Sequence, residues 1–293
     1  MTKKEHVRQD ILLLQEALDK ALPIINKIQQ DRKSKVLALY CYQSISRHVA
    51  YRINKILRRM GHIDKLDVIL ESGGGDIDSA YKILKMFRCY AKEVNVIVPS
   101  FAKSAASLIA LGAHELVMCR GGELGSIDPQ VKDPFTDNFI PAHSIKEAIN
   151  FIEETNDQVV KLSLTEKIPV LLIGAYREAG ESTKQYLNEI FQNLGDHKES
   201  AVKVFTEKFL SHGYPIDREF LNTNMIQVSE PDAKLEGLLF DLHENYEDML
   251  SQLYSHPHVD EDILLLQTDG GKIVSYGFKD VINELPSAPI KTK

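Results

Sequence analysis

Apolar positions along this chain switch repeatedly between a strand-like run and a helical period. Val36–Cys41 is an unbroken apolar run and predicts a buried strand. Ser44–Met60 follows with Ile45, Val49, Ile53, Ile56 and Leu57 on one face, and Gly61 marks its end. Leu66–Leu70 reads as a second buried strand. Ile77, Ala80, Ile83, Leu84 and Phe87 then recur at helical spacing over 77–90. Strand 94–98, a helix of small and aliphatic residues over 104–113, and strand 115–119 complete the series. Strands alternating with helices predict an α/β fold with a mostly parallel sheet of repeated β-α-β units and right-handed crossovers. Functional loops are then expected at the carboxyl ends of the strands.

The flanks differ from this centre. Residues 5–31 carry Ile11, Leu12, Leu14, Leu18, Ala21, Leu22, Ile25 and Ile28 at helical spacing, predicting one amphipathic helix or two broken near Pro23. Residues 120–141 lose periodicity and hold Gly121, Gly122, Gly125, Pro129, Pro134 and Pro141, a long turn-rich segment of the kind that often carries function. A helix is expected from Ser144. Residues 165–194 are mixed, turning helical from about Ser182, and further helices are expected over 197–210 and within 217–253. Ile263–Gln267, Thr268–Gly271 and Lys272–Tyr276 predict a β-hairpin around Asp-Gly. The expected organisation is a helical arm (1–34), a catalytic-type α/β domain (35–250) and a C-terminal extension with the hairpin (251–293).

Composition narrows the function classes. The chain has 293 residues, 43% hydrophobic, and a net charge of −7, which gives no case for nucleic-acid binding. Cys41, Cys89 and Cys119 are odd in number with no C-x-x-C, so neither a disulfide framework nor a zinc site is expected, and a reducing cytoplasm fits. The basic residues near Met1 are not followed by an apolar core, against a signal peptide. No run approaches a membrane span, so a soluble cytoplasmic protein is expected.

Two strand-to-helix turns hold the candidate chemistry. Ser104 lies where strand 94–98, through Pro99 and Ser100, runs into the following helix. Backbone N–H groups left free in a first helical turn, at the positive end of the dipole, can receive an oxyanion while a hydroxyl attacks a carbonyl. Serine at this position is also a common helix cap. The other turn is Glu71-Ser-Gly-Gly-Gly-Asp76, after strand 66–70. Three glycines permit φ > 0 and close approach to a ligand. A phosphate or dinucleotide loop is the rival reading, yet the spacing is neither G-x-G-x-x-G nor G-x-x-x-x-G-K-[ST].

The Ser72-Gly-Gly-Gly75 and Ser104-Ala-Ala turns resemble the signature turns of the Clp-type serine peptidases and signal peptide peptidase A, in the ClpP/crotonase superfamily. Ser104–Met118, Leu124-Gly-Ser-Ile-Asp-Pro-Gln130, Ile140–Ile145 and His212-Gly-Tyr-Pro-Ile216 are similar to the serine dehydrogenase proteinase branch, and the likeness spans roughly residues 35–240. It implies a serine peptidase with a Ser104, Asp128, His212 triad and an oxyanion hole from the backbone N–H groups of Gly74 or Gly75 and of Ala105. It also implies a peptide or protein substrate and a homo-oligomer. The apolar stripe of residues 11–28, outside the likeness, has to pack on its own domain or on a neighbouring subunit, and helices at either end are expected to make part of the oligomer contact. No cofactor or metal is expected, and the branch name's dehydrogenase activity has no nicotinamide fingerprint here.

Each site residue has a plainer reading. Asp128 before a proline is a good turn-former, and His212 before Gly213 suits a helix C-terminus. Signal peptide peptidase relatives use a lysine base, for which Lys146 is the alternative, though its polar neighbours oppose the desolvation such a base needs. Lys103 departs from the small or apolar residue expected beside the nucleophile. Two other function classes compete. One is a crotonase-like acyl-CoA enzyme working through Glu123 or Asp128. The other is a non-catalytic oligomeric scaffold.

Overall fold

The computed structural model describes residues 3–132, 139–209, 211–256, 262–277 and 279–285. The chain forms two compact units that cut across the three sequence segments expected above: Met1–Leu124 with Asp217–Thr223 and Gln227–Lys293, and Gly125–Ile216 with Asn224–Ile226.

The first unit is built on β1 (Lys35–Cys41), β2 (Ile63–Ser72), β3 (Ala91–Val98) and β5 (Glu115–Met118), all parallel, with helices α2 (Arg47–Met60), α3 (Ile77–Tyr90) and α4 (Ala105–Leu111) in the crossovers. Two short strands, β4 (Phe101–Ala102) and β6 (Glu123–Leu124), continue the sheet beyond the end of β2 through the pair Ser72–Ala102. The strands are buried along almost their whole length, which explains their continuous apolar runs.

The terminal segments are integral to this unit. After α10 (Ala233–Tyr254), strands β9 (Ile263–Gln267), β10 (Lys272–Tyr276) and β11 (Lys279–Glu284) add antiparallel to the outer edge of β1, giving the order β11-β10-β9-β1-β2-β3-β5. The expected hairpin is present, and it extends the central sheet. Helix α1 (Lys3–Arg32) runs unbroken through Pro23. Pro23 lies on the exposed side of the helix, where the loss of one backbone hydrogen bond is best tolerated. Leu14, Leu18, Ala21, Ile25 and Ile28 are buried with Leu235, Leu239, Leu242 and Tyr246 of α10 and with Ala38 and Leu265 of the sheet. Of the two packings open to this stripe, its own domain or a neighbouring subunit, most of it takes the first, with Leu12 left exposed. Buried Gln267 clamps the three elements, accepting from Tyr246 Oη at 2.7 Å and donating to the Leu18 carbonyl at 2.8 Å. Where α1 ends, Arg32 Nε lies 2.5 Å from Asp67, a fully buried carboxylate on β2 that also accepts from Ser34 (2.7 Å) and Asn95 (2.8 Å). The short helix α9 (Arg218–Thr223) also belongs to this unit.

The second unit contains a two-stranded antiparallel pair, β7 (Gln130–Lys132) and β8 (Phe139–Pro141), with α5 (Ala142–Glu154), α6 (Gln158–Thr165), α7 (Val170–Ile190) and α8 (Lys198–Glu207). Its core includes Leu187, Phe191, Val202 and Phe205, with the two rings 6.1 Å apart. Helix α7 starts twelve residues before the expected Ser182, directly after Pro169. Gly174 and Gly180 weaken its helical signal, yet both lie in the helix with open space around them.

Candidate active site

Ser104 immediately precedes α4 with φ 51° and ψ −122°. A non-glycine residue held in this region is strained, and such strain gathers at functional sites. Its side chain makes no capping hydrogen bond, so the plain helix-cap role is not the one it plays. The turn is fixed from below: the Lys103 N–H donates to the Ser72 carbonyl at 2.9 Å, and buried Ser107 donates to the Ala102 carbonyl at 2.6 Å. A strained serine between strand and helix, with its hydroxyl not spent on the helix, matches the geometry of a nucleophile elbow.

The glycine turn lies directly against it. Gly74 has φ 102°, and a Cβ there would stand 2.7 Å from the Lys103 carbonyl oxygen, 2.8 Å from Ser104 Cβ and 3.1 Å from the Ala105 nitrogen. Gly75, at φ 145°, is as closely confined by Ile45 and Ser44. The Gly74 N–H donates to Ser72 Oγ at 3.1 Å, which sets the loop's orientation, and Asp76 then caps α3 through the Ser79 N–H at 3.0 Å. The two special turns are therefore neighbours, and the Ala105 N–H opens α4 beside Gly74.

In the second unit, Asp128 and His212 meet. His212 Nδ1 is 2.5 Å from Asp128 Oδ1, and the same oxygen accepts from Ser126 Oγ at 2.7 Å. Ser126 is buried and also approaches the His212 carbonyl at 3.3 Å. The Ile127 N–H, bonded to the Phe205 carbonyl at 2.7 Å, holds the loop to the end of α8. Burial pushes the Asp128 carboxyl up, but the hydrogen bonds from His212 and Ser126 outweigh it and leave the group below its ordinary range. A carboxylate kept ionised against Nδ1 fixes the imidazole tautomer and leaves Nε2 for proton transfer. Ser126 was not anticipated from the sequence; its only signal there is a hydroxyl two residues before Asp128.

The alternative groups are differently placed. Lys146 on α5 is exposed, and its charge is felt by Glu207. Glu123 is paired with Lys103 at 2.5 Å, and Lys103 Nζ also donates to the Leu124 carbonyl at 3.2 Å, so the unexpected lysine beside Ser104 is held back onto β6.

Residues 2–260 match the family of ClpP-like SDH-type serine proteinases. The chain belongs to this family. Two uncharacterized proteins of Methanocaldococcus jannaschii are similar to it. One is 25% identical over 67% of this chain and 64% of its own length; the other is 24% identical over 74% of each. The chain thus spans under two thirds of the length of the first relative. Solved structures resembling it include a mutant of the membrane-bound stomatin-specific protease 1510-N with a substrate peptide, at TM-score 0.43 and 16% identity over 66% of this chain and 73% of that one. Another is a mutant of ClpP1 from Listeria monocytogenes, at TM-score 0.41 and 15% identity over 71% of this chain and 98% of that one. Among the described residues, no helix is long and apolar enough to cross a membrane.

Proposed function

We propose that this member of the family is a serine peptidase in which Ser104 attacks the scissile carbonyl of a peptide. The observation that carries the reading is the strained Ser104, uncapped and pressed against Gly74 at the head of α4. In the reaction, Ser104 Oγ bonds to the carbonyl carbon and its proton passes to His212 Nε2. The oxyanion is received by the Ala105 N–H and, of the two glycines expected, by that of Gly75, since the Gly74 N–H is already donated to Ser72 Oγ; the leaving amine takes the proton back as the acyl-enzyme forms. Water then repeats the sequence and releases the acid. Asp128 is the positioning group for the imidazole, supported by their 2.5 Å contact. His212 is preferred to Lys146 because a lysine base must be desolvated, whereas Lys146 is exposed.

The acyl-CoA reading has less support, since both candidate carboxylates are engaged: Glu123 with Lys103, Asp128 with His212. A homo-oligomer in a reducing cytoplasm remains our expectation, consistent with the free thiols of Cys41, Cys89 and Cys119. Its contacts would have to come from elsewhere than the α1 stripe. Labelling with a fluorophosphonate, with Ser104→Ala as control, tests the function. Wild-type labelling lost in Ser104→Ala supports the peptidase, while an unlabelled wild type returns the chain to the acyl-CoA or scaffold reading.

A further inference from the structure

The last residue of β2 before the glycine turn's Ser72 is Glu71, and it opens onto a cluster that the proposed chemistry does not use. Its carboxylate is fully buried. Facing it from α10 are His243 and Glu247, one helical turn apart and so on one face. One ligand atom from each of the three residues can be chosen so that all lie within 4.8 Å of one another.

Two observations set this cluster apart from an ordinary ion pair. First, Glu71 Oε2 and His243 Nδ1 are 2.9 Å apart, yet both are buried atoms without a hydrogen-bond partner. The two atoms face each other without hydrogen-bond alignment, which leaves an ion free to engage both. Second, the Tyr42 hydroxyl bridges Glu71 Oε1 and Glu247 Oε1. A hydroxyl has one proton, so it can satisfy only one of the two carboxylates. The Glu71 and Glu247 carboxylates and the His243 imidazole thus gather more acceptor atoms than one hydroxyl proton can satisfy, and a divalent cation would engage all three groups.

We infer that Glu71, His243 and Glu247 bind a divalent transition-metal cation of the zinc or manganese type. One imidazole with two carboxylates suits these ions, whereas calcium and magnesium prefer oxygen alone. Metal–ligand bonds of about 2.0–2.2 Å close the observed span with a small inward movement. The ring of Tyr40 stacks on His243 with centroids 6.2 Å apart and holds the imidazole plane, while the Tyr42 hydroxyl lies against both carboxylates and donates its one proton to either of them. The ion would fasten the end of β2 to α10 one residue before Ser72, whose hydroxyl orients Gly74.

The test is equilibrium dialysis of the chelator-treated full chain against Zn²⁺ and, separately, Mn²⁺, with bound metal measured directly. The expected result is about one equivalent of one of these ions, with affinity reduced at least ~10-fold in His243→Ala and in Glu247→Gln, and about 10–100-fold in Tyr42→Phe. Circular dichroism checks that each variant is folded; Glu247 is exposed and Tyr42 half-buried, which keeps the test open if His243→Ala misfolds. Metal binding left unchanged in the folded variants would place the ion elsewhere and overturn the assignment. So would a wild type that binds neither ion at ~100 µM. Neither outcome depends on Ser104, so the inference stands or falls separately from the peptidase reading.

Discussion

Replacing Gly74 by alanine probes whether the two special turns work as one device. The added Cβ would lie 2.7 Å from the Lys103 carbonyl oxygen and 2.8 Å from Ser104 Cβ, and these are backbone or near-backbone atoms that cannot swing aside. The left-handed region costs an L-residue about 1–2 kcal/mol, and φ 102° lies beyond its favourable part. Forcing a methyl into a packed site adds about 1–3 kcal/mol. Gly74→Ala should therefore lose roughly 2–5 kcal/mol in urea unfolding, or relieve the strain by moving the Ser104 turn. A displacement near 1 Å suffices to lower the fluorophosphonate labelling rate by about 10². Gly73→Ala is the internal control: nothing stands within 4 Å of its added methyl and its φ is not positive. It should change stability by no more than about 0.5 kcal/mol and label at the wild-type rate. Equal losses in both variants, or a Gly74→Ala protein with wild-type stability and labelling, would refute the reasoning.

Three further outcomes follow from named contacts. His212→Ala should slow peptide hydrolysis by about 10² or more while Lys146→Ala stays near wild type; the reverse order would make the lysine the base. Asp128→Asn should lower turnover by up to about 10⁴ through the wrong imidazole tautomer. Because the folded Asp128 carboxyl is depressed, the stability it contributes is fully present above its unfolded value of ~3.9 and is lost as pH falls through the folded one. The wild-type advantage over Asp128→Asn in unfolding should accordingly be flat near neutrality and shrink below pH ~4; an advantage that grows on acidification would reject the assignment. Arg32→Ala leaves Asp67 buried without its guanidinium and should cost about 3–5 kcal/mol in denaturant unfolding, whereas a cost under ~1 kcal/mol would mean that Ser34 and Asn95 suffice.

The centre of the fold was legible because its signals are local. Helix 77–90 has one apolar face and an Asp76 cap, and the buried parallel strands are continuous apolar runs bounded by turns. What escaped the sequence depends on distant partners. Nothing in Ile263–Gln267 says that it will choose the edge of β1, and nothing in residues 11–28 distinguishes a stripe that meets α10 from one that meets a neighbour. The same holds for the candidate site. The Ser104 turn announces itself by composition, but the uncapped hydroxyl does not. Ser126 gains its part only once Asp128 and His212 converge, and Glu71 meets His243 only when α10 packs on the sheet.

The order of strands also sets a timetable for synthesis. The outer edge of β1 takes its partner from β9, so residues 38–41 emerge from the ribosome roughly 220 residues before the strand that pairs with them. At about 5–20 residues per second this is a wait of roughly 10–45 s, with an apolar strand edge open to any passing chain. The apolar face of α1 waits almost as long for α10. The growing polypeptide therefore passes its longest interval with its two most adhesive surfaces uncovered, and a chain halted before Ile263 keeps the first of them for good. Nascent chains of this protein should need a holding chaperone until the last hairpin is made, and truncation ahead of β9 should yield aggregates even though the proposed nucleophile and its glycine turn are already complete.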